Sequence, residues 1–160
     1  MASLWSQLAR QLQINWYTVA MRFIQNNDDF IIRLETGEEL LAQLTGFCAE
    51  HDIKSGYIVS GIGGVQRAAV GYYNMRKKKY INRRIKDAVE LLNLSGNISE
   101  LDSKPFLHLH ATVSTMNNKA HGGHVHHIVI GATAEIIIRK IDQPIKRTLD
   151  TKVGLNLLDL

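Results

Sequence analysis

Residues 105–114 read Pro-Phe-Leu-His-Leu-His-Ala-Thr-Val-Ser. Apolar and polar side chains alternate from Leu107 to Val113, the period of a strand, in which successive side chains leave on opposite faces. Leu107 and Leu109 then point to one face, and His108 and His110 to the other. A half-buried strand with two imidazoles on its free face needs a sheet around it. The chain supplies further strand candidates at 30–35 (FIIRLE), 55–60, 68–73, 88–95, 134–139 and 155–158, rich in β-branched and aromatic residues. Gly61-Ile-Gly-Gly-Val65 reads as a turn or bulge, and Gly96-Asn97 as the close of the 88–95 strand.

One helix interrupts them. Thr36 stands three residues before Glu39 in the manner of a capping box, and Leu40, Leu41, Leu44, Phe47 and Cys48 recur at helical spacing, so residues 37–51 are expected to be helical. Cys48, on that apolar stripe, reads as a buried small hydrophobe rather than a nucleophile. With one helix among at least six strands, regular βαβ alternation fails. The expectation is an α+β domain: a largely antiparallel sheet, one main helix at about 37–51 and short extra helices.

Length and composition agree. At 160 residues, 45% of them hydrophobic and 21% charged, the chain suits one domain with a substantial core. A single cysteine rules out a disulfide scaffold. No apolar run approaches the ~20 residues of a membrane helix, and the opening Met-Ala-Ser-Leu-Trp-Ser-Gln lacks the order of a secretory signal, so a cytoplasmic protein without membrane partners is expected. Residues 1–28 read as an N-terminal extension, either weakly amphipathic through Leu4, Leu8 and Leu12 or an appended tail; Met21 is an alternative start. The main domain is placed at 29–160.

Two clusters concentrate the chemistry. The formal charge is +4, but Arg76-Lys-Lys-Lys-Tyr-Ile-Asn-Arg-Arg-Ile-Lys86 holds Arg76, Lys77, Lys78, Lys79, Arg83, Arg84 and Lys86 with no acid. With these seven set aside, twelve basic residues face fifteen acidic ones, a net of −3. Such a run can engage phosphates or be merely a solvated hairpin. Tyr80 within it could stack on a base or pack on basic stems. Six of the seven histidines fall between His108 and His127. His108 and His110, at i and i+2 of a strand, can share one metal ion. A third ligand could come from the expected loop Asn117–Val125, whose paired glycines would turn His124 back over the strand. Three neutral imidazoles with a position left to water form an open zinc site; metal-free, hydrogen-bonded histidines are the alternative. His126 and His127 read as surface residues or neighbours of that site. GIGG is no dinucleotide loop, because Gln66 stands where the third glycine should be and no helix follows.

Several segments, in order, resemble the PPC ("plants and prokaryotes conserved") domain: RLETGEELLAQLTGFCAEHDI at 33–53, SGIGGVQRAAVGYYN at 60–74, ELLNLSGNIS at 90–99, PFLHLHATVS at 105–114, GGHV at 122–125, TAEIIIRK at 133–140 and the closing KRTLDTKVGLNLLDL. The likeness covers about residues 29–160. It implies a strongly curved sheet, a homotrimer, and a metal site, zinc by preference, at His108, His110 and His124. Glu90 and Glu135 match acidic positions of the pattern and Arg147 an arginine, as structural charge pairs or as lining of the same cleft. Plant members reach A·T-rich minor grooves through an Arg-Gly-Arg-Pro core that this chain lacks, so DNA binding does not transfer by that route. Two readings follow. The preferred one is a trimeric, metal-binding module acting on DNA or a regulatory protein through the basic hairpin. The alternative is a zinc-dependent enzyme that acts on a small substrate by metal-activated water, with Glu90 or Glu135 as general base; an enzyme is the less favoured class, since no HExxH or zinc-deaminase pattern is present.

Overall fold

The computed structural model describes residues 20–160; the leucine repeat at Leu4, Leu8 and Leu12 lies outside them. Among the described residues nine strands form one sheet: β1 (Arg22–Asn26), β2 (Asp29–Glu35), β3 (Gly56–Asn74), β4 (Lys79–Ile85), β5 (Ala88–Leu101), β6 (Lys104–Thr115), β7 (Ala120–Lys140), β8 (Lys146–Asp150) and β9 (Leu155–Asp159). The order is β1-β2-β7-β3-β5-β8-β9, with β4 on β3 and β6 bridging β5 and β7. Every pairing is antiparallel except the single parallel contact of β5 with β8 at Glu100 and Lys146. The fold is thus β-rich. Among the described residues α1 (Leu40–Glu50) is the one helix, and the short extra helices expected from the sequence are replaced by strand and turn.

The strands are longer than their apolar patterns suggested. Gly61–Val65 does not turn the chain; it lies inside β3, whose 19 residues pair with β7 through register shifts at Ile58/Ser60, Gly63/Val65, Val65/Arg67 and Ala69/Val70. Each shift bends the strand and adds twist, so the sheet curves without breaking. Likewise β5 continues through Gly96-Asn97 to Leu101. The sheet also begins before residue 29, because Arg22–Asn26 pairs with β2 across a tight turn that holds Asn27 at φ 52°. The basic stretch is partly a strand itself: Lys79–Ile85 forms a hairpin with β3.

The core lies under the inner face. Phe30, Ile32 and Leu34 of β2, Ile136 and Ile138 of β7, and Leu107 and Leu109 of β6 join Leu40, Leu44, Phe47 and Cys48 of α1 in one buried cluster. Each such side chain contributes about 1.5–3 kcal/mol relative to exposure. Burial pushes the Cys48 thiol up to about 12, so it behaves as the hydrophobe its position predicted. The helix starts three residues later than expected. Glu39, rather than Thr36, is its N-cap, accepting from the Ala42 amide at 2.6 Å and also from the Ile128 amide at 3.1 Å. Thr36 instead donates to the Ala132 carbonyl at 2.6 Å. A carboxylate accepts from the amides of the helix end and of β7 together, while the Thr36 hydroxyl is taken up as a donor to β7.

Candidate metal centre

On β6, Leu107 and Leu109 are buried, His108 is half-buried and His110 exposed, as strand alternation requires. His124 reaches them by a route the sequence pattern does not show. The segment His121–His124 is not a loop: the chain turns at Met116–Lys119, and β7 then runs back along β6 with His110 directly opposite His124. Cross-strand partners share a face at a Cβ separation of ~4.5–5.5 Å, so sheet pairing itself supplies the third imidazole. The glycines serve close approach instead of a turn. Gly123 has φ 157°, and a Cβ there would lie 2.4 Å from the Gly71 carbonyl oxygen of β3.

The three rings converge. Centroids are 5.2 Å apart for His108–His110, 5.2 Å for His108–His124 and 5.5 Å for His110–His124. One ligand atom from each lies within 4.8 Å of the others. Zn–N bonds of ~2.0–2.1 Å can span such a set after small ring rotations. Burial, the His110 ring and Arg147 push the His108 pKa below its usual value. Burial, then His108, His126 and His110, take His124 down to about 4. At neutral pH their lone pairs are therefore free of protons. Nδ1 of His124 is shielded from solvent yet has no hydrogen-bond partner. An orphaned buried nitrogen where three imidazoles converge fits a cation better than it fits a structural hydrogen-bond network.

Two aromatic neighbours complete the wall. Tyr80 of β4 stacks on His124 at 4.4 Å and 26°, and meets His126 edge-on at 5.2 Å. His126, two residues along β7 from His124, lies 5.1 Å from it, so it adjoins the site rather than the bulk surface. Burial lowers its pKa as well. Strand periodicity could have placed His126 beside His124; nothing local in the sequence signals Tyr80, which arrives by the pairing of β4 with β3. Arg147 of β8 is buried beside them and, with Asn97 and Phe106, lines a cleft of about 430 Å³ that includes His108 and His124.

Glu90 and Glu135 are brought together, but elsewhere. The pairings Gly64–Glu90 and Ile62–Glu135 seat them on a separate depression with Gly63 and Thr133. Neither lines the histidine cleft. The seven cations Arg76, Lys77, Lys78, Lys79, Arg83, Arg84 and Lys86 are all exposed along the β3–β4 hairpin and its exit. Arg84 and Lys86 line a depression of about 740 Å³ together with Arg67 and His127. Arg67, remote from the basic run in sequence, joins it through the pairing of β3 with β4.

Comparison with known proteins agrees with this architecture. A protein from Bacteroides thetaiotaomicron, described as a "putative DNA binding protein", superposes with a TM-score of 0.83 at 29% identity, covering 87% of this chain and 96% of that one. A metal-containing protein from Archaeoglobus fulgidus superposes with a TM-score of 0.75 at 31% identity, covering 88% and 99%. The bifunctional protein GlmU of Synechococcus sp. (strain JA-3-3Ab) is 26% identical over 108 residues, which is 67% of this chain but only 16% of that protein. Residues 21–142 match the Plants and Prokaryotes Conserved (PCC) domain. A curved antiparallel sheet, three histidines on one face of its β6–β7 hairpin, and this match over most of the chain make the protein a member of the PCC (PPC) domain family.

Proposed function

We propose that the protein is a cytoplasmic, self-associating PCC-domain module that binds DNA through the β3–β4 hairpin and holds zinc at His108, His110 and His124. The observation that carries the DNA reading is the exposure of all seven basic side chains along the β3–β4 hairpin and its exit, extended by Arg67 beside Arg84. The hairpin tip, Tyr72–Asn74 against Lys79–Ile81, runs past the pairing of β3 with β7 as a two-stranded ribbon of the kind the major groove of B-DNA admits, and the cations would release counterions from the backbone. The DNA-binding description of the Bacteroides relative supports the same reading. Support for self-association comes from Ile24, Ile31 and Ile137, which stand opposite one another on β1, β2 and β7 on the solvent side, with Ile24 68% exposed. A trimer would bury this row and present three basic ribbons to one duplex.

Zinc is the preferred ion because an all-imidazole set suits it, and the archaeal relative is described as metal-containing. When bound, zinc would tie β6 to β7 and could acidify a water. An enzyme that uses such a water has less support, since Glu90 and Glu135, its candidate bases, line another depression.

A gel-shift titration of duplex DNA across a salt series tests the DNA reading. Binding should weaken linearly in log–log form with rising salt. Neutralising Lys77, Lys78, Lys79, Arg83 and Arg84 to Gln should lower the slope by about one for each phosphate that the variant no longer engages. No shift at low salt, or an unchanged slope in the variant, sinks the reading and leaves a protein partner for the ribbon.

A further inference from the structure

Arg147 is buried to 8% exposure, yet its partners carry no charge. Its Nε donates to Ser99 Oγ, one terminal nitrogen to the Asn156 carbonyl and the other to Asn97 Oδ1, each at 2.7 Å. The guanidinium lies 4.8 Å from the centre of the Phe106 ring. Among the described residues no carboxylate pairs with it. Three of its five N–H groups are thus used on neutral acceptors. A buried charge without a counterion is expensive to keep, and such charges are normally paired or placed to meet a ligand.

Its position decides which. Asn97, held by Arg147, is the cross-strand partner of His108, so one side chain separates the guanidinium from the metal-binding face. The cleft that Arg147 shares with His108, His124 and Tyr80 has no Asp or Glu among its lining residues. Its far wall is apolar, formed by Leu149 and Leu157, which are 64% and 38% exposed. A divalent ion at the histidines would bring the cleft to three positive charges with no acid to balance them.

We infer that this cleft binds a small organic oxyanion, a carboxylate or phosphate, whose headgroup lies between Arg147 and the histidine-bound metal and whose apolar body rests on Leu149 and Leu157. The inference rests on the metal reading of the triad and adds the ligand class. Two N–H groups of Arg147 remain to donate to the headgroup, and its planar fork matches carboxylate and phosphate oxygens. Tyr80 bounds the opening next to His124, and Asn97 holds the guanidinium in register.

Cobalt(II) in place of zinc makes the test visible, because its d–d absorption changes when an anion reaches the ion. Cobalt-loaded full-length protein is titrated with benzoate, phenyl phosphate and, as the neutral control, benzyl alcohol. Benzoate or phenyl phosphate should shift the spectrum saturably, the tighter of the two naming the headgroup, and benzyl alcohol should not. Arg147→Met should weaken the anion about tenfold or more while the protein still takes up cobalt. Arg147→Lys, which keeps the charge without the fork, should fall between, and it carries the test if the methionine variant does not fold. Equal anion affinity in wild type and both variants, no anion effect on a cobalt-loaded protein, or equal binding of benzyl alcohol would overturn the inference. If cobalt gives no spectrum at all, the metal reading falls; calorimetry of benzoate and phenyl phosphate on metal-free protein then decides whether Arg147 alone holds the oxyanion, and no heat there overturns the inference too.

Discussion

Replacing Gly96 with alanine should loosen the strand pair that carries His108 and His110, two of the three proposed metal ligands. Gly96 sits on β5 opposite Leu109, the residue between His108 and His110, at φ 151°. A Cβ there would stand 2.1 Å from the His108 carbonyl oxygen and 2.9 Å from Leu109 Cα. Both are backbone atoms and cannot rotate aside, so β5 and β6 must part by roughly 1 Å, or residue 96 must leave its conformation. The unfavourable φ costs about 1–3 kcal/mol and the intrusion about 1–3 kcal/mol, giving a loss of about 2–6 kcal/mol. At about 2–4 °C per kcal/mol for a chain of this size, the melting temperature should fall by at least about 4 °C. Gly46→Ala is the internal control: that glycine is exposed within α1 with nothing within 4 Å of a new Cβ. The substitution should stabilise by about 0.5–1 kcal/mol. Urea denaturation of metal-free protein measures both changes, and cobalt uptake by Gly96→Ala, expected to be weaker than wild type, reports on the site. A Gly96→Ala midpoint within about 0.5 kcal/mol of wild type, or a Gly46→Ala loss of similar size, would refute the close-approach reasoning behind these magnitudes.

Glu39→Ala should cost about 1–3 kcal/mol, because it strips an acceptor from the Ala42 amide and from the Ile128 amide together; Glu39→Gln, which keeps an oxygen, should recover part of that, and equal denaturation midpoints for the two variants would count against the double role. The hydrogen bond and charge of Arg139 hold the Asp29 carboxyl below its ordinary value of 3.8. Since the folded pKa is the lower one, the unfolded chain binds the proton first, and the stability this pair contributes above pH 3.8 is lost as pH falls through the folded value. Urea midpoints between about pH 5 and pH 2 should therefore drop less steeply for Asp29→Asn than for wild type, and parallel curves would remove Asp29 from the acid response.

Much of the architecture is legible in short windows. Alternation in Leu107–Val113 places two histidines on one face and two leucines in the core, and the structure agrees residue by residue. The apolar spacing from Leu40 to Cys48 likewise puts Leu40, Leu44, Phe47 and Cys48 inside. Strand ends were less visible. Gly61–Val65, readable as a turn or a bulge, is a bulged stretch of strand, and Gly96-Asn97 does not close its strand; Gly63 and Gly96 lack side chains where the carbonyls of Thr133 and His108 approach. The polar edge strand Lys79–Ile85 has no strong apolar period to reveal it, since it pairs only with β3.

Which side chains can act is readable along the chain: three imidazoles, one run of cations and a single inert thiol. Their faces are readable too, because a strand's two-residue period is a property of the local backbone. Which of them meet was decided only by tertiary structure. The β6–β7 register sets His124 against His110, β4 carries Tyr80 onto His124, and β8 brings Arg147 to Asn97, fifty residues back along the chain. The same pairings send Glu90 and Glu135 to another depression. The physical reason is that register depends on bulges and hydrogen bonds between strands distant in sequence, and a shift of one residue would turn every side chain to the opposite face.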